Sequence, residues 1–160
     1  MIAYLLGPSG VGKSTAVQLL RTESKDLDLL DIDAEFIDNE FNWGLIGPRL
    51  YRLHRQPTLG RHVVVDIGAG TQTRPQLCAF LREEQALVVL VTASPKEVVL
   101  RQPIADRDLA EFVRTEYEER TELYSLATAT VDVTGLGKWD AAQRVIDLVK
   151  IVMAGQSGIE

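Results

Sequence analysis

The sequence is short of sulfur, of surplus basic charge and of long apolar runs, and each shortage closes off a class of protein. Cys78 is its one cysteine, so no internal disulfide can form, which fits a reducing cytoplasm. It falls within the apolar patch Leu77 to Leu81, where a core position is expected. Acidic residues outnumber basic ones by 23 to 17, a formal net charge of -6. A phosphate-backbone partner calls for a basic surface, so no nucleic acid is expected. No apolar stretch approaches the ~20 residues that cross a bilayer, and no basic region precedes the first apolar run. Neither a membrane span nor a secretory leader is expected. Low-complexity tracts are also missing, and 160 residues suit one domain with a real core. A domain over 1–154 with a frayed tail at 155–160, cytoplasmic and monomeric, is the expectation.

What is present is organised around Gly7-Pro8-Ser9-Gly10-Val11-Gly12-Lys13-Ser14-Thr15. It follows the apolar run Ile2 to Leu6, leads into a helix-prone segment, and fits the phosphate-loop pattern GxxxxGK[ST] at every defined position. Glycines let such a loop turn its backbone N–H groups toward one phosphate, with a helix N-terminus behind them. Lys13 then reaches the β- and γ-phosphates, and the Ser14 hydroxyl is placed to ligate Mg²⁺. A glycine-rich turn with a solvated lysine is the bland alternative, and the strand-loop-helix context argues against it.

Strand-length apolar runs alternate with helical patterns: Ile2 to Leu6, Asp28 to Ile32, His62 to Asp66, Ala86 to Thr92 and Thr130 to Val133. That alternation predicts a parallel sheet covered on both faces, with ligands gathering beyond the carboxyl ends of the strands. Ser94-Pro95-Lys96-Glu97 reads as a capping box, and Thr73 and Asp108 as further helix starts. A long helix is expected from Asp108 to Ala127 and a closing one from Asp140 to Val152.

Candidate site residues follow the strands. Asp31-Ile32-Asp33 offers paired carboxylates for metal or base chemistry, although Asp33 could simply cap the next helix. Asp38 to Gly47 reads as irregular, with Phe41 and Trp43 available either as an acceptor-pocket floor or as edge packing. Arg49 and Arg52 share a helical face that is either solvated or carboxylate-binding. Asp66 ends an hhhD strand of the kind that supplies a metal-side carboxylate. Gly68-Ala69-Gly70 after it allows close ligand approach or a plain tight turn. Arg120 falls on an apolar helix stripe, where it needs an anion or must snorkel outward. Thr134, at the last strand end, could touch a nucleobase.

Taken together, these motifs resemble the shikimate kinases over almost the whole length. The phosphate loop, Asp31-Ile32-Asp33, Gly68-Ala69-Gly70, Val88 to Arg101, and Glu119-Arg120-Thr121-Glu122-Leu123-Tyr124 occur in that family's order. The resemblance implies an α/β P-loop domain with a five-stranded parallel sheet of order 2-3-1-4-5, helices on both faces, and ATP and Mg²⁺ as cofactors. It implies Mg²⁺ held through water by Asp31, an acceptor hydroxyl held and deprotonated by Asp33, and an acceptor carboxylate clamped by Arg49 or Arg52 and by Arg120. Ala69 stands where the family has glycine, Asp66 where it usually has a small residue, and the basic lid is nearly absent. Arg101 and Arg107 are therefore the only candidates for lid and adenine contacts. The expected function is phosphoryl transfer to a small hydroxylated acid, shikimate first. The alternatives are gluconate, a cyclitol or a nucleotide as acceptor, or a nucleotide-binding regulatory protein.

Overall fold

The apolar runs become one parallel sheet: β1 (Ile2–Leu6), β2 (Leu27–Asp31), β3 (His62–Asp66), β4 (Leu87–Thr92) and β5 (Ala129–Asp132). The computed structural model describes residues 1–25, 27–56, 61–101 and 108–157. The strand order is β2-β3-β1-β4-β5 and every neighbouring pair is parallel. Central β1 is buried along its whole length, as a strand covered on both faces must be. The register sets Leu5 beside Asp66, and Asp66 beside Asp31, so two carboxylates meet at one end of the sheet next to the phosphate loop.

Nine α-helices connect the strands within the described residues: α1 (Lys13–Glu23), α2 (Ile32–Phe36), α3 (Trp43–Arg55), α4 (Ala69–Gln72), α5 (Gln76–Glu83), α6 (Pro95–Arg101), α7 (Leu109–Glu116), α8 (Thr121–Tyr124) and α9 (Lys138–Ser157). One sheet face packs Ala3, Leu5, Val64 and Val89 under α1 and α9; the other packs Tyr4, Leu6, Val65 and Val88 under α3 and α5. Each such buried aliphatic side chain contributes roughly 1.5–3 kcal/mol. Tyr4 is fully buried, and its hydroxyl finds His54 Nδ1 at 2.9 Å.

Several local expectations change in three dimensions. Helix α3 begins at Trp43, inside the segment expected to be irregular, because the Asn42 side chain caps it by accepting from Gly44 N. Asp31, not Asp33, is the cap of α2, accepting from Ala34 N at 3.1 Å. At the expected capping box the Ser94 N–H donates to Thr134 Oγ1 at 2.8 Å, and the Glu97 carboxylate accepts from Gly135 N. The expected helix Asp108 to Ala127 breaks at Tyr117 into α7, a 3-10 turn (Glu118–Arg120) and α8, while Asp108 does cap α7. Helix α9 runs past Val152 through Ser157. Cys78 is half-buried at the edge of the core, and burial pushes its thiol up from the ordinary value.

Candidate active site

The phosphate loop closes around space prepared by its glycines. Gly7 has φ 151°, and a Cβ there would collide with the Val91 carbonyl; Gly12 enters α1 at φ 104°. Lys13 is 6% exposed and donates to Gly7 O at 2.7 Å and Pro8 O at 3.0 Å. Burial lowers its ammonium pKa to about 8, against the pull of Asp66.

A cavity of about 510 Å³ opens in front of this loop. Ser9, Gly10, Gly12, Lys13, Ser14 and Thr15 form its phosphate side. Asp31, Asp33, Asp66, Gly68 and Ala69 form the facing side, with Ala34, Ile37 and Phe41. A neighbouring cavity of about 300 Å³ lies between the loop, where Val11 contributes, and the turn Leu136, Gly137 and Lys138. Thr134 is not among the residues lining this second cavity, and its hydroxyl accepts from Ser94 N.

Asp33 is fixed by three donors. Gly70 N reaches Oδ2 at 2.8 Å, while Thr71 N and Thr71 Oγ1 reach Oδ1 at 3.2 and 2.6 Å. The missing side chains of Gly68 and Gly70 now have a specific reason. A Cβ on Gly68 would sit 2.5 Å from Asp33 Cγ, and one on Gly70 would enter the Phe41 ring.

Asp66 is 3% exposed, and its Oδ1 has no hydrogen-bond partner. Burial raises its pKa to about 6; Lys13 pulls it down, Asp31 and Asp33 push it up, and the Ser14 hydroxyl lowers it slightly. An orphaned buried carboxylate oxygen beside a serine hydroxyl and a second aspartate suits Mg²⁺, a hard cation that prefers oxygen. Among the described residues no group of three His, Cys, Asp or Glu could hold a metal alone.

Sheet order, phosphate loop and carboxylates beyond the strand ends together define the architecture. The chain has the shikimate kinase-like P-loop fold. A shikimate kinase from Acinetobacter baumannii, solved in complex with shikimate, matches 99% of this chain and 95% of its own, with a TM-score of 0.66 and 20% identity. A tunicamycin resistance protein from Deinococcus radiodurans matches 92% of this chain and 94% of its own, with a TM-score of 0.67 and 16% identity. A gluconokinase from Sinorhizobium meliloti 1021 covers 99% of this chain and 97% of its own, with a TM-score of 0.61 and 16% identity. No family model matches the sequence, and no curated protein does.

Within the shikimate kinase-like fold, the expected carboxylate clamp is arranged differently. Arg120 is 7% exposed, but the anion it meets is internal: Nη1 lies 2.8 Å from Glu116 Oε2. Arg49 donates to both carboxylate oxygens of Glu35, at 3.2 and 3.4 Å. Arg52 is exposed on α3. None of the three lines the cavity. Arg101 ends α6, and Arg107 lies outside the described residues.

Sequence reasoning missed Glu116, Gln72, Thr71 and Glu35. Gln72 is buried and braces the loop, donating to Gly7 O at 2.9 Å and Ile67 O at 2.7 Å. Glu116 stands in the acidic run Glu116-Tyr117-Glu118-Glu119 and looks solvated. Its spacing of four from Arg120 is the signal that could have found it.

Proposed function

We propose that the protein is an ATP-dependent kinase that transfers the γ-phosphoryl group to a hydroxyl of a small molecule. One observation carries this reading: a complete phosphate loop and a fixed carboxylate, Asp33, face each other across a single cavity. In this reading the loop N–H groups and Lys13 bind the β- and γ-phosphates, and Lys13 leaves the Gly7 and Pro8 carbonyls to do so. Ser14 and Asp66, with Asp31 through water, would hold Mg²⁺. When bound with the nucleotide, Mg²⁺ neutralises charge on the oxygens between the β- and γ-phosphates. Asp33 orients the acceptor hydroxyl and takes its proton on a carboxylate oxygen as the O–P bond forms. Its three donors set its position, and catalysis here is chiefly positioning. Arg101 or Arg107 would supply a cation over the phosphates. Leu136 and Gly137 would bound the adenine.

Among acceptors, shikimate is the one that the resemblance puts first, and the shikimate-bound neighbour supports a small-molecule acceptor. A hydroxy acid needs a guanidinium facing the cavity, and the paired state of Arg49 and Arg120 speaks against it. The test is calorimetry of Mg·ATP with the wild type and Lys13→Ala, alongside ADP release on a panel of small alcohols. The expected result is nucleotide binding by the wild type and a turnover loss of about 10²–10³-fold in Lys13→Ala. Failure of the wild type to bind any adenine nucleotide would sink the reading.

A further inference from the structure

We infer that the acceptor is an alcohol with no carboxylate and with an apolar face. This rests on the kinase reading and names the substrate class of that same cavity. The charge facing the acceptor half comes first. Among the described residues that line it, the charged side chains beyond Lys13 are Asp31, Asp33 and Asp66, and Lys13 points into the loop, toward Gly7 O and Pro8 O. Asp33 is held in place by the donors of α4 and keeps its negative charge facing the cavity. A carboxylate brought into this half would meet like charge with no described cation to hold it.

Of the three arginines expected to hold such a group, Arg52 does not line the cavity, and Arg120 and Arg49 have partners of their own. Glu116 takes Arg120 with both side chains nearly out of solvent, at 7% and 5% exposure. Turning Arg120 toward an acidic acceptor would take its cation from Glu116, exchanging one carboxylate partner for another, so the exchange gains little. Glu35 takes Arg49 with two hydrogen bonds, away from the cavity. Arg120 and Arg49 each already face a carboxylate of this chain, so neither fork is presented to the cavity.

Apolar side chains share that side of the cavity with the three aspartates. Ala34, Ile37, Phe41 and Ala69 face the cavity, and Ile37 is 63% exposed, a branched side chain left open at the rim. Glu40 and Phe41 hold φ of 53° and 54°, left-handed values that non-glycine side chains seldom adopt. The ring this conformation presents rests where only glycine at position 70 leaves room. A strained backbone, a cleared seat and an exposed isoleucine together form a surface that an apolar substrate face would cover.

The test compares each hydroxy acid with its own amide, so that only the charge changes: shikimate, gluconate and mandelate against shikimamide, gluconamide and mandelamide. Phosphoester is detected by ³¹P NMR and kcat/KM from ADP release. The expected result is at least tenfold higher kcat/KM for the amides, with mandelamide, the one carrying an aromatic face, ahead of gluconamide. Phe41→Ala should raise the mandelamide KM several-fold and leave the ATP affinity unchanged. Glu35→Gln, which frees Arg49 without touching the phosphate loop, should narrow the gap between acid and amide. Acids turned over as well as or better than their amides by the wild type would overturn the inference and leave the kinase reading standing. ATP binding without phosphoester from either member of any pair would overturn both.

Discussion

Glu116 ties helix α7 to the phosphate loop: its Oε1 accepts from Ser9 Oγ at 2.6 Å, and its Oε2 accepts from Ser9 N at 3.3 Å and meets Arg120 at 2.8 Å. Arg120 continues the chain to Gln72 Oε1 and the Tyr124 hydroxyl, both at 3.3 Å, and Gln72 returns to Gly7. The start of the phosphate loop is thus braced at Gly7 and Ser9 by one largely buried polar network. Such a network rigidifies when every member is satisfied and is costly when one is removed.

The first prediction follows from that brace. Arg120→Ala takes the cation from buried Glu116, and breaking a buried pair costs about 3–5 kcal/mol. In a chain of this size that is roughly a 10 °C loss in melting temperature. ATP affinity should fall with it, because Ser9 and Gly7 lose their common anchor. Thermal melts with and without Mg·ATP check this. A variant with wild-type Tm and altered acceptor KM alone would return Arg120 to the role of an acceptor clamp.

The second concerns Gly68. A methyl at this position would sit 2.5 Å from Asp33 Cγ and Oδ2, so Gly68→Ala must push the carboxylate off its seat. A displacement near 1 Å lowers turnover by about 10²-fold. Nucleotide binding should be unchanged, since the phosphate loop is untouched. Parallel kinetics and calorimetry on the variant separate the two effects.

Much of this was legible in the sequence, and for identifiable reasons. His62 to Asp66 and Ile2 to Leu6 are strands to the residue because buried parallel strands read as short continuous apolar runs. The phosphate loop is legible because its chemistry fixes residue types at fixed spacing. Phe41 was readable as pocket floor; its companion Trp43 instead packs its indole against Gly47. The partners of the charged residues were not legible. Periodicity marks Arg120 as inward but cannot tell an internal anion from a substrate, and Glu116 hides in an acidic run. The break at Tyr117 is equally silent: no Gly or Pro marks it, and the Tyr117 hydroxyl is held there by Ala93 O at 2.6 Å.

The third prediction is a pH dependence. In the folded protein the Asp66 pKa is raised from 3.8 to about 6, so the native state holds its proton more tightly than the unfolded chain. This contribution to stability is complete below pH 3.8 and is lost as the pH climbs to about 6. The loss is about 3 kcal/mol at most, and Asn at this position does not incur it. Asp66→Asn should therefore raise the Tm of the nucleotide-free, metal-free protein by a few degrees at pH 7 and not at pH 4. The gain falls short of the full amount because Lys13 loses an attractive neighbour. The same variant should weaken Mg²⁺-dependent ATP binding. Melts at the two pH values, with EDTA present, decide the first part.

The measurement that most directly tests the central claim is label transfer from [γ-³²P]ATP in the presence of Mg²⁺ and the hydroxyl acceptors named above, comparing wild type with Lys13→Ala and Asp33→Asn. The account predicts that the wild type moves the label onto an organic phosphoester in step with ADP formation. Lys13→Ala and Asp33→Asn should each lose most of that transfer while keeping their fold by circular dichroism. Label appearing only as inorganic phosphate, or transfer that survives both substitutions, would contradict it.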